Sequence, residues 1–329
     1  MHNPCFSCHT KSQRPNFLND DDLQQSYSFA EPARVNPWTN LFLDRTDAVA
    51  AISDDAIDEY IKVDNYLSES GDIILTKKLT QLPEQWDAKG DGQWDGFIPD
   101  AYFKFDAEGF DRNPDNEYTG WRAFAYYPFL GTFWPTNGST DDVLIRLPEA
   151  FRTDTNGHQN YEIYKVNLAI VEAMLKEQDV AVSPVDERML GNVDIDKNGT
   201  LGIADKVAYN WAPVKGEYMW YVGQANRLQR EKKLHMAAGL YPEGTEFLHS
   251  VRYIDVDDDG NNQLSARMKE LRYAVKRGWV NYSQLRAKVD TEFKEKDDFP
   301  NRIRSILGNA EDGVSNGQGW VYAGFIEDA

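Results

Sequence analysis

Cys5 and Cys8 are the only two cysteines in a chain of 329 residues, and His9 follows them directly. Two thiolates at that spacing can add to the vinyl groups of a haem while the adjoining imidazole binds the iron. The same residues could serve as a redox-active dithiol, a disulfide or half of a zinc site. A thioredoxin-like dithiol follows a strand, and no strand-like run precedes Cys5. A zinc site needs further ligands from distant histidines or carboxylates. The expected chemistry is covalent haem c, held by Cys5, Cys8 and His9.

The second pattern is acidic. Asp194, Asp196, Asn198, Thr200 and Asp205 occupy loop positions 1, 3, 5, 7 and 12, with Gly199 at the sharp-turn position 6. Calcium takes six to eight oxygens, so alternate residues must point inward around a glycine bend. Thr200 would give its backbone carbonyl, a water under Gly202 would fill position 9, and Asp205 would close the shell. Asp255, Asp257, Asp259 and Asn261 open a second such loop around Gly260, but Ala266 stands where the closing carboxylate belongs. Asp87, Asp91 and Asp95 outline a third, in which Lys89 replaces an oxygen ligand and opposes a dication.

The Cys5–His9 motif resembles that of the c-type cytochromes, and the acidic loops resemble those of EF-hand and dockerin-like modules. The first resemblance covers only the N-terminal few residues, with helical support to about residue 70. It implies a small helical haem module and a distal iron ligand. That module holds no histidine besides His2 and His9 and no methionine besides Met1. His249, ahead of the second acidic loop, is therefore the expected distal ligand, with His235, Met236 or a partner chain as rivals.

These residues need elements to hold them. Ser53 is placed to cap a helix carrying Ile57, Tyr60 and Ile61, and Asn160 one of about 18 residues with Tyr161, Tyr164, Leu168, Val171 and Leu175. Leu264, Met268, Leu271 and Val275 carry helical spacing, as do Leu285, Val289 and Phe293 behind Ser283, and Ile303, Ile306 and Leu307 before Gly308. Strand-like runs are 101–105, 121–127, 143–147, 251–254 and 319–325. The expected class is α+β: a helical cytochrome-like module over 1–70, an aromatic, strand- and loop-rich section over 71–160, and a mainly helical calcium-binding section over 161–329.

A formal charge of −19 excludes nucleic acid as a partner. Apolar residues make up 41% of the chain, and no run is long enough to span a membrane. No export signal precedes Cys5, so the chain reads as a mature form or a fragment of a longer protein. No nucleophile, zinc-protease or phosphate-loop motif is present. The expected function is electron transfer in the prokaryotic periplasm or cell exterior, with haem c and structural calcium. The expected partners are a basic redox protein and further haem-bearing segments. A haem enzyme with an open iron site and a calcium-stabilised surface module are the alternatives.

Overall fold

Extended runs of apolar side chains, more than helical periodicity, organise the chain from residue 110 onward. The computed structural model describes residues 44–126, 139–300 and 308–327. Cys5, Cys8 and His9 lie outside the described residues, as does the stretch expected to form a helix over Ile303–Leu307.

Ten strands are present among the described residues: β1 (Phe110–Arg112), β2 (Tyr118–Tyr126), β3 (Ser139–Arg146), β4 (Val180–Asp186), β5 (Ile203–Val207), β6 (Glu246–Val256), β7 (Asn262–Lys276), β8 (Gly308–Asn309), β9 (Gly313–Ser315) and β10 (Trp320–Ile326). Eight of them make one sheet in the order β1-β2-β3-β6-β7-β10-β9-β8, and β4 pairs with β5 in a separate hairpin. Every pairing is antiparallel.

The sheet is covered on both faces, and consecutive buried residues such as Val143, Leu144 and Ile145 point alternately to each. Val143, Ile145, Phe247 and Trp320 turn one way into the larger core. Their neighbours Leu144 and Leu248, with Leu271 of β7, turn the other way onto Trp121, Tyr66 and Ile73. Among the described residues six α-helices frame these layers: α1 (Thr46–Ala50), α2 (Asp54–Lys62), α3 (Ile74–Leu79), α4 (Tyr161–Lys176), α5 (Gly223–Arg230) and α6 (Tyr282–Asp298). α4 forms where Asn160 places it, the Asn160 Oδ1 accepting from the Ile163 amide at 3.1 Å. It supplies ten buried residues, from Ile163 to Met174. Ser53 caps α2 in the same way. α6 begins two residues earlier than expected, on an Asn281–Gln284 capping box.

The expected α+β arrangement of a helical haem module and a helical calcium section gives way to a fold dominated by one large antiparallel sheet. The largest departure is at residues 264–275, which form part of a strand rather than a helix. Register shifts opposite Arg252 insert extra residues into β7. Buried positions there fall three apart, at Ser265, Met268 and Leu271, and so imitate a helical stripe. The 101–105 run forms no strand; Phe105 makes only an isolated bridge to Asp111. The runs at 121, 143, 251 and 319 do enter strands β2, β3, β6 and β10.

Candidate cation site

The acidic loop at residues 194–202 joins the ends of the β4–β5 hairpin. Leu190, Val193 and Ile195 are nearly fully buried in the larger core, and the Ala208 amide donates to the Ile195 carbonyl at 2.8 Å. With Val193 and Ile195 turned inward, Asp194 and Asp196 project the other way. The Asp194 Oδ2 accepts from the Gly199 amide at 3.0 Å, closing the turn, and Gly199 sits at φ +86°, where side chains are strained. Asp196 Oδ1 accepts from the Asn198 amide and Asn198 Oδ1 from the Thr200 amide.

The closing carboxylate is Glu187, which follows β4 directly and is fully buried. Its Oε1 accepts from the Ile195 and Asp196 amides at 2.6 and 3.4 Å, and its Oε2 from the Gly202 amide at 2.9 Å. One carboxylate oxygen each from Glu187, Asp194 and Asp196 lies within 4.8 Å of the others. The Asp194 Oδ1 is buried without a hydrogen-bond partner. Asp205, the expected closing ligand, belongs to β5 and is exposed. No spacing rule finds Glu187, because it lies seven residues before the loop begins. EF-hand geometry is absent too, since a strand leaves the loop where a helix would be needed.

The other expected residues are distributed differently. Asp255 belongs to β6, faces Gln263 and accepts from its Nε2 at 3.1 Å. Asp257 Oδ1 accepts from the Asp259 and Asn261 amides, so residues 257–261 form a β-hairpin turn. Among the described residues, no third carboxylate joins Asp255 and Asp257. Asp87 caps its own loop by accepting from Gly90, Asp91 and Gly92, and Asp95 pairs with Lys89 at 2.6 Å. His249 stands in mid-sheet between Val143 and Arg272. Its Nε2 is buried with no partner, and burial together with Arg272 pushes its pKa down to about 4.

A family model described as "-like lipoprotein" matches residues 1–329. An uncharacterised lipoprotein of Aquifex aeolicus (strain VF5) is 32% identical over 315 residues, covering 90% of this chain and 47% of that protein. The chain thus spans about half the length of the curated relative it matches. No solved structure matches it. A likeness running through the whole chain overturns the resemblance to c-type cytochromes, which five residues carried. With it go the electron-transfer function and the haem-enzyme alternative. Among the described residues no helix is long and apolar enough to cross a membrane.

Proposed function

The chain belongs to this lipoprotein family and is extracytoplasmic, and on that premise we propose that it is a calcium-binding module of the periplasm or cell exterior. The carrying observation is the convergence of Glu187, Asp194 and Asp196 within 4.8 Å. At an effective dielectric near 20, two unit charges at that distance repel by roughly 3 kcal/mol per pair. Lys197 provides one positive charge close to Asp194 and Glu187 against three carboxylates. A dication would balance the remainder and give the buried Asp194 Oδ1 its missing partner.

The donor set selects a hard ion. Side-chain oxygens of Glu187, Asp194, Asp196 and Asn198, with the Thr200 carbonyl, offer only oxygen ligands around a glycine bend. Such a loop suits calcium, which tolerates irregular shells, better than magnesium, which demands an octahedron. The bound ion would lock the hairpin to the core through Val193 and Ile195. Extracellular modules need only dissociation constants of about 10⁻⁴–10⁻³ M to stay loaded.

The test is calorimetric titration of the full chain with calcium, beside melting curves with and without chelator. The ion should raise the melting temperature, and Asp194→Asn with Asp196→Asn should remove both the binding at this site and its share of the shift. A double variant that binds calcium and melts like the parent would reject the site.

A further inference from the structure

The loop at Asp87 repeats three hydrogen bonds of the Asp194 loop at matching positions. The first aspartate accepts from the sixth residue's amide in both: Asp194 from Gly199 at 3.0 Å, Asp87 from Gly92 at 2.9 Å. The fifth residue accepts from the seventh in both: Asn198 from Thr200, Asp91 from Gln93. The ninth amide donates in both to a buried glutamate from elsewhere in the chain: Gly202 to Glu187 at 2.9 Å, Asp95 to Glu311 at 3.2 Å. Glu311 lies in the turn between β8 and β9, 216 residues from Asp95, and is 2% exposed.

Glu311 also carries the observation that the frame alone lacks. Its Oε1 takes the Asp95 amide, while its Oε2 is buried and has no hydrogen-bond partner. A carboxylate oxygen sealed from water without a donor costs free energy, and native structures rarely tolerate one. Lys89 occupies the third loop position, where the first loop has Asp196. Its amine holds Asp95 Oδ2 at 2.6 Å and leaves Glu311 Oε2 unsatisfied.

We propose that calcium gathers Asp87, Asp91, Asp95 and Glu311, no three of which bring ligand oxygens within 4.8 Å of one another here, into a second site closed by Glu311 and guarded by Lys89. It shares the cation chemistry of the first site but none of its residues. Calcium entering here displaces the Lys89 amine from Asp95 and supplies the partner of Glu311 Oε2. The ion would tie the 87–95 loop to the β8–β9 turn. Trp94 already packs against Phe325 of β10 there, with ring centroids 5.9 Å apart. Because Lys89 must leave, binding should be weaker than at Glu187.

Two measurements on the full chain decide it: calcium stoichiometry by equilibrium dialysis, and terbium luminescence excited through tryptophan, since Trp94 is the loop's eighth residue. A Glu187→Gln chain should keep one site and its sensitised emission, and adding Glu311→Gln should abolish both. Lys89→Asp should tighten this site roughly tenfold or more, and Asp91→Asn should weaken it by a similar factor. Both side chains lie in an exposed loop, so these two variants read the site even if Glu311→Gln disturbs packing. The proposal is overturned if Glu187→Gln removes all binding, or if Lys89→Asp and Asp91→Asn leave affinity unchanged. If the Asp194/Asp196 double variant retains full binding while Glu311→Gln loses it, this site stands and the one at Glu187 falls.

Discussion

The amide of Gly202 donates to Glu187 Oε2 at 2.9 Å across fifteen residues, and that bond closes the acidic loop against its own hairpin. Glu187 also takes the Ile195 and Asp196 amides. Glu187→Ala should therefore cost about 3 kcal/mol or more, because it leaves buried donors without partners. Glu187→Gln keeps one carbonyl acceptor and should cost less, while removing the calcium dependence of this site. Urea unfolding with and without calcium separates the two effects, and an alanine variant as stable as the parent would contradict them.

Asn167 supplies a second internal staple. Fully buried in α4, it donates to the Phe151 and Val222 carbonyls at 2.9 and 3.2 Å and accepts from the Val222 amide at 2.9 Å. Asn167→Leu has nearly the right volume and no polar atoms, so it strands three backbone groups. The expected loss is about 2–4 kcal/mol by chemical denaturation. A change below about 0.5 kcal/mol would show that these groups find other partners.

Arg146 of β3 holds Glu246 through two hydrogen bonds, at 2.6 and 3.1 Å, and Asp100 through a third at 2.5 Å. Its guanidinium also lies 4.2 Å from the Trp121 ring centroid. Arg146→Met removes a cation bonded to both carboxylates and should destabilise by about 3–5 kcal/mol. Adding Glu246→Gln should recover part of that, because it removes one orphaned charge. No recovery in the double variant would show that packing over Trp121, not charge, sets the loss.

His249 makes stability depend on pH. Its folded pKa, about 4, lies below the ordinary 6.5. As pH falls, the unfolded chain takes up the proton first, so folding loses stability between about pH 6.5 and 4. Above that window the contribution is complete. The slope from this one group is at most about 1.4 kcal/mol per pH unit. Comparing melting curves of the parent and His249→Phe from pH 7 to 4 should show a shallower decline in the variant. Parallel curves would mean that His249 is protonated as readily folded as unfolded.

Local signals in the sequence were sufficient wherever the partner was local. Asn160 and Ser53 cap the helices they precede, because a cap needs only an oxygen and an amide three residues on. The turn around Gly199 was legible for the same reason, since Asp194 and Gly199 are five residues apart. Where the partner is distant, local signals mislead. β7 resembled a helix because register shifts against β6 set its buried residues three apart, and only the neighbouring strand creates those shifts. Asp255 and Asp257 looked like ligands of one ion, yet hairpin pairing sets Asp255 opposite Gln263, which donates to it, and leaves Asp257 to close the turn.

By itself, the sequence determined the acidic loops, the caps and most of the strand-forming runs, all of which depend on residues within one or two turns of each other. Tertiary structure alone decided which carboxylates close the loops. Glu187 and Glu311 reach them because the β4–β5 hairpin and the β8–β9 turn fold back, and no spacing along the chain encodes that approach. A buried carboxylate is tolerable only where folding supplies donors or a cation, so its role appears only once the chain has closed around it.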